Sequence, residues 1–423
     1  MFGGGKRDWS VDVLRCTSCF MVCGLHAFIH TLYYNIPVDA QSSEWLHYLL
    51  YRMIFGSPTV LFVMVSGIFF LSPERNVTAK KVWKKNVVKM TSAYLFWSLV
   101  YALYRIWMMD PAPEITPRFF IQQWLIEPYH MWYIPMILGL YILCPILRPI
   151  TATRDRKLFL YIILIFIGTL ILCTIRDWPG LPYGKTYIDP ALNKTPIGLF
   201  GQYPMWMLFG WIAYSYRPTR GFRYLIYALG IAATLFGIWC NLFNWIHTGD
   251  TTVVATTQKF SILIILKNTA LFYFIVTVFR NHQFSERGKK YLRKLSDNTL
   301  IIYLIHMLFM YFMFDRNFLF DLGWSPWIVP WIYAFIAYIG GGIVAEIFHM
   351  VWNPIKVKLF PKPPRQPRPD AAPAGTGNTG QAAPAAVQSA DAALAGKGST
   401  GQAAPAGTPE AKTDSCNSGQ NRI

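Results

Sequence analysis

The sequence predicts an all-α polytopic membrane protein of about ten transmembrane helices with a disordered C-terminal tail. Three observations carry that expectation. Of the 423 residues, 54% are hydrophobic and only 14% charged, whereas a soluble chain carries about a quarter charged residues. The apolar residues fall into separated runs, most long enough for a span of about 20 residues. Lysine and arginine gather in alternate connections between those runs, the pattern that orients membrane helices.

The first span, about 9–34, follows basic Lys6 and Arg7. Arg15 interrupts its apolar run and no small-residue cleavage site follows, so it reads as a retained span rather than a signal peptide. Gly3-Gly4-Gly5-Lys6 lacks the spacing and preceding strand of a phosphate loop and reads as a flexible start. Cys16, Cys19 and Cys23 in this span suit close helix packing better than a metal cluster, and no disulfide framework is indicated. The second span, about 47–72, carries Ser66-Gly67. The third, about 82–108, is entered through Lys80, Lys81, Lys84 and Lys85. The fourth, about 130–149, opens on His130, Trp132 and Tyr133, and the fifth to seventh are about 157–176, 197–215 and 222–243. The eighth, about 260–279, holds the charged Lys267, which snorkelling explains as well as function does. The ninth, about 298–316, holds His306, and the tenth is about 327–352.

Basic residues lie before the first span, in the second, fourth, sixth and eighth connections, and after the last span. The intervening connections hold Asp39, Glu44, Asp110, Glu114, Glu127, Asp177 and Asp250. Both termini are therefore expected in the cytoplasm, with an even number of spans. The net charge of +18 follows from these loops. With no zinc-finger spacing and no aromatic RNA-binding motif, nucleic acid is not an expected partner. Residues 1–360 form the expected membrane domain. From 361 to 423 the composition turns to Ala, Pro, Gly, Thr and Gln, with TGQAAPA occurring twice. That stretch has almost no apolar bulk to bury and is expected to be a disordered cytoplasmic tail.

Arg15 and His26 are eleven positions apart in the first span. Eleven helical residues advance about 16 Å and turn about 1100°, three turns and roughly 20°. The two side chains therefore share a face, one near a membrane edge and the other deep inside. Ionisable residues within a span usually face a protein interior or wet cavity and mark a site. Two on one face suggest a track into the bilayer.

Arg15-x10-His26 resembles the Arg- or Lys-x10-His motif in the first span of the acyltransferase-3 family of integral membrane acyltransferases. Phe62-Val-Met-Val-Ser66-Gly67 resembles that family's FFxxSG stretch, and the basic run Lys80 to Lys89 follows it. His130-Met-Trp132-Tyr133 resembles the HxWF(Y) segment, and Tyr303-Leu-Ile-His306 the late YLxH element. The ordered set covers about residues 9–352. No fused extracytoplasmic hydrolase domain follows, so the chain resembles the stand-alone sugar O-acetyltransferases of bacterial surface-polysaccharide assembly. The resemblance implies an inner-membrane enzyme with acetyl- or another acyl-coenzyme A as donor and no metal. The acceptor would be a polysaccharide or lipid-linked sugar.

Acyl transfer from a thioester to a hydroxyl needs a base, a grip on the donor and stabilisation of the carbonyl oxygen. His26 suits the base, because an unperturbed imidazole is largely neutral at pH 7. Arg15 suits a bidentate grip on a donor phosphate, with Asp12, three residues back, orienting it or pairing with it internally. Lys89, which sits deeper than a rim residue should, and Lys84 and Lys85 are further donor contacts, or obey the positive-inside rule alone. His30, His130, Trp132 and Ser66 are candidates on the acceptor side. The alternatives are an interfacial aromatic belt for His130 and Trp132 and close helix packing for Ser66. His306 fits core shaping better than catalysis. Glu127 and His130 have a metal-like spacing, which one pair makes weak. The competing function is a non-enzymatic transporter or flippase of a lipid-linked glycan; a third is an acyltransferase acting on a glycolipid or antibiotic.

Overall fold

The computed structural model describes residues 7–29, 31, 43–109, 114–125, 129–178, 181, 183–248, 260–314, 323–325 and 327–359. Of 43–45, 129, 248, 314 and 353–359 it gives the backbone alone. The tail after 360, and with it the boundary between the two expected domains, lies outside the described residues. Among those residues every regular element is helical and none is a strand. Among the described residues eight helices are long and apolar enough to cross a membrane: Trp9–Phe28, Leu46–Phe70, His130–Ala152, Arg156–Arg176, Arg220–His247, Ile262–Phe279, Glu286–Met313 and Val329–Trp352. The protein is thus an all-α polytopic membrane protein. The two other expected spans are also helical but meet that measure less well. One carries Lys89 and Arg105, and the other is a helix of 13 residues, Tyr203–Ser215.

Helix α1 (Trp9–Phe28) starts where the Asp8 side chain accepts from the Ser10 amide, filling an orphan donor of the first turn. It is buried on most of its surface because α3 (Pro58–Phe70), α12 (Ile262–Phe279), α13 (Glu286–Phe314) and α14 (Val329–Leu359) all pack on it. The second apolar run is not one continuous helix. α2 (Ser43–Phe55) ends at Gly56, Ser57 takes a left-handed conformation at φ 62°, and α3 begins at Pro58. Proline has no amide hydrogen and suits a first helical turn, so the break falls where Gly56-Ser57-Pro58 permits it.

A broken helix leaves carbonyls without partners. Here Lys267 of α12 supplies them: its Nζ donates to the Met53 carbonyl at 2.9 Å and the Gly56 carbonyl at 2.7 Å. Lys267 therefore does not snorkel to a membrane surface. The far end of α3 is closed in the same manner. Arg148, from α7 (Tyr133–Ala152), donates to the carbonyls of Phe70, Ser72 and Arg75 at 2.8, 2.9 and 2.7 Å.

α3 and α10 (Tyr203–Ser215) lie in very close contact. A Cβ on Gly67 would sit 1.8 Å from the Met207 carbonyl oxygen, and one on Gly210 would sit 2.3 Å from Met64 Cα. Only a bare backbone fits at either position, as at small-residue crossings of membrane helices. The third run enters through the short α4 (Ala79–Lys81), where the Thr78 side chain accepts from the Lys81 amide. A π-helical stretch at Val82–Val87 then leads into α5 (Val88–Met108). The remaining helices are α6 (Pro117–Leu125), α8 (Arg156–Arg176), α9 (Gly184–Lys194) and α11 (Arg220–Thr248), which packs along α12.

The basic connections meet at one end of the bundle. Arg7 pairs with Asp12 at 2.6 Å and with Asp297 at 2.9 Å, Arg280 with Asp8 at 3.4 Å, and Arg154 with Glu74 at 2.5 Å. Arg217 and Arg280 line one cavity with Glu74. Hydrogen bonds to Asp12 raise the Arg7 guanidinium above its ordinary pKa.

Candidate functional site

Two cavities follow the face of α1 that Arg15 and His26 share. The first, about 470 Å³ in volume, lies at the basic end and is lined by Arg15, Ser66, Lys85, Asn86, Lys89, Tyr133, Tyr141, Asp297 and Tyr303, among others. The second, about 270 Å³, lies further along α1 and is lined by His26, Arg52, Ser57, Thr59, His130, Trp132 and Tyr303, among others. Tyr303 of α13 belongs to both walls, and its hydroxyl donates to the His130 carbonyl at 2.6 Å.

Arg15 is held toward the first cavity by α13, donating from Nη2 to Thr299 Oγ1 at 3.2 Å. Among the described residues, three basic side chains, Arg15, Lys85 and Lys89, face it against the one carboxylate of Asp297. The π-helical turn brings Lys85 and Asn86 to this wall, and such wide turns recur at functional sites. The arrangement is a positively charged mouth with an apolar floor of Phe62, Val65 and Phe69. That combination suits an anionic group attached to an apolar or amide-bearing arm.

His26 lies in a cluster of rings in the second cavity. Its ring centroid is 5.1 Å from that of His306, and His306 is 5.9 Å from His130. His306 is fully buried, with Nδ1 2.5 Å from the Tyr303 carbonyl. The Nδ1 proton is donated there, which leaves Nε2 as the lone-pair nitrogen of the neutral ring. His130 is 2% exposed, packed 4.4 Å edge-on against Tyr101, and is therefore not part of a surface aromatic belt. Trp132 is 41% exposed and also borders the cavity.

Several expected residues stand elsewhere. Asp12 does not orient Arg15. Its carboxylate accepts from Arg7 at 2.6 and 2.7 Å and from the Ser296 hydroxyl at 2.6 Å, because the chain before α1 and the body of α13 both reach it. Ser66 faces the first cavity, beside Tyr133 and Tyr141, rather than the His26 cavity. Lys84 is exposed and does not line the mouth that Lys85 and Lys89 border. His30 and Glu127 lie outside the described residues. Cys16, Cys19 and Cys23 are buried in the helix contacts of α1, where Tyr338 of α14 donates to the Cys16 carbonyl at 3.1 Å. Among the described residues no group of three or more His, Cys, Asp or Glu is placed to hold a metal.

Arg52, Tyr303 and Asn86 also line these cavities, and their roles are not evident from the sequence. Arg52 lies inside the second apolar run, so the reasoning that singled out Arg15 applied to it equally. Tyr303 stood in the YLxH stretch with no role of its own. Asn86 has no sequence signal, since a π-helical turn leaves none.

A family model described as an acyltransferase domain matches residues 8–346, nearly the whole membrane-embedded part and both cavities. No curated protein and no solved structure matches the chain.

Proposed function

The chain belongs to the acyltransferase-3 family of membrane acyltransferases, and from that premise we propose that it carries acetyl, or another short acyl group, from cytosolic acyl-coenzyme A to a hydroxyl of a surface polysaccharide or lipid-linked sugar. One observation supports this reading above the others. A basic cavity and a histidine cavity lie end to end on one face of α1, and Tyr303 borders both.

In this reading Arg15, Lys85 and Lys89 hold the phosphates of coenzyme A at the basic end. The extended pantetheine arm runs along α1 past Tyr303, which brings the thioester toward His26. An acceptor hydroxyl enters the second cavity and attacks the thioester carbonyl carbon while its proton passes to the His26 imidazole. The tetrahedral oxyanion collapses, the C–S bond breaks and the thiolate leaves. The new ester is an O-acyl sugar, and the proton on His26 passes to the thiolate. His306, its ring beside His26, positions the base and adds a polar wall to the cavity. The protein would sit in a bacterial inner membrane with both termini in the cytoplasm, which puts the donor cavity on the side where coenzyme A is found.

The test is a transfer assay on the purified full chain. Labelled acetyl-coenzyme A and membrane-derived lipid-linked glycan are supplied, and release of free thiol is followed together with label in the glycan. Coupled appearance of both supports the proposal. A protein that moves the glycan across a vesicle membrane without consuming acetyl-coenzyme A is a transporter instead.

A further inference from the structure

The His26 cavity contains a cation that no described residue answers. Arg52, in the last turn of α2, lines the cavity, and among the described residues it has no hydrogen bond and no ion pair. Among the described residues that border the cavity there is no Asp or Glu. Nearby Lys267 offers no anion to Arg52, and its amino group is itself satisfied by the two carbonyls of the helix break. α3 starts at the same break, and Pro58 and Thr59 of its first turn border the cavity, which directs the positive end of a 13-residue helix toward it. Arg52 is half-buried, and a guanidinium partly withdrawn from water is costly unless an anion is supplied. Here the cation and the helix end converge on one cavity, beside the proposed base.

We infer that this cavity takes an acceptor bearing an anionic group, a phosphate or a carboxylate, which seats on Arg52 and the first turn of α3 and thereby presents a neighbouring hydroxyl to His26. The inference narrows the acceptor of the proposed function and rests on it for the role of His26. The anion preference itself does not depend on acyl transfer. The shared chemistry has two sources: the phosphate of a lipid carrier, or the carboxylate of an acidic sugar.

Two matched probe pairs separate them: farnesyl phosphate against farnesol, and methyl glucuronide against methyl glucoside. Each is titrated as a radiolabelled ligand on the purified full chain in detergent. In the wild type the charged member of one pair should bind about tenfold or more tighter than its neutral mate, as a charge-assisted contact provides. Arg52→Gln should bring the two within about twofold, while Lys84→Gln, the loss of an exposed cation that borders neither cavity, leaves the preference intact. Preference within the farnesyl pair assigns a lipid-borne phosphate, and preference within the glucoside pair an acidic sugar. Equal binding within both pairs, or an undiminished preference in Arg52→Gln, overturns the inference. A second measurement needs no variant. Phenylglyoxal modification of Arg52, mapped by mass spectrometry, should be slowed by the preferred anion and not by its neutral mate; equal rates also overturn it. An anion preference in a protein that transfers no acyl group sinks the proposed function and leaves this inference standing. Acyl transfer without any anion preference does the reverse.

Discussion

Replacing His26 by glutamine keeps a hydrogen-bonding side chain in the cavity and removes its ability to take a proton. In the proposed reaction His26→Gln should lower transfer by about 10²- to 10⁴-fold, the usual worth of general-base catalysis. Binding of acyl-coenzyme A should be unchanged, because the donor contacts lie in the other cavity. Wild-type turnover in a folded His26→Gln protein would remove the base assignment. Arg15→Ala should weaken acyl-coenzyme A binding about ten- to a hundredfold, the value of one charge-assisted contact, and Arg15→Lys should weaken it less. Unchanged donor affinity in a titration of Arg15→Ala would make the residue structural. That these two residues lie on one helix face, each bordering a cavity, was legible from their spacing, since a helix repeats its face every eleven residues. Asp12 was misread for the opposite reason. Its place three residues before Arg15 says nothing about Arg7 and Ser296, which reach it from elsewhere and take its lone pairs.

At the level of elements, hydropathy located the helices and left their irregularities unread. The break at Gly56-Ser57-Pro58 is written in residues that favour turns, but it is set within one continuous apolar run and so counts as a single span. The cap on that break comes from a helix far along the chain, which no local pattern announces. Lys267→Met should leave the Met53 and Gly56 carbonyls unanswered at about 1–3 kcal/mol each, seen as a clear fall in thermal unfolding temperature in detergent. An unfolding temperature equal to wild type would mean that the break does not need the lysine. The glycines give a sharper contrast. Gly67→Ala drives a methyl into the Met207 carbonyl and should cost about 1–3 kcal/mol or more by the same measurement. Gly139→Ala, with nothing within 4 Å of the added methyl, should be neutral or gain up to about 1 kcal/mol. Equal effects at the two positions would contradict the close crossing of α3 and α10.

For the whole molecule, the alternation of loop charge marks which connections share an end, and the ion pairs among Arg7, Asp12, Asp297, Arg280, Asp8, Arg154 and Glu74 collect several of them there. The side of the membrane on which that end lies is a prediction. Reporter fusions or cysteine labelling after Arg368 should report a cytoplasmic location, and labelling near Asp177 an external one. The reverse pattern would move the basic cavity away from cytosolic coenzyme A. Ending the chain after Asp370 should leave transfer largely intact, since both cavities are built from residues 15–303. The histidine cluster was legible only in part at this scale, because His26, His130 and His306 come from three distant segments that the fold alone brings together.

The lysine that closes the helix break also sets a timetable for biosynthesis. Gly56 precedes Lys267 by 211 residues, an interval of about 10–40 s at ordinary rates of chain elongation, roughly 5–20 residues per second. Through that interval α2 and α3 are already made while the carbonyls between them await their donor, and Pro58 bars a continuous helix from supplying one. The second apolar run therefore reaches its final form only after the eighth has entered the membrane. A nascent chain released before Lys267 carries Arg15, His26, Arg52 and His130 and still cannot complete the chamber they line.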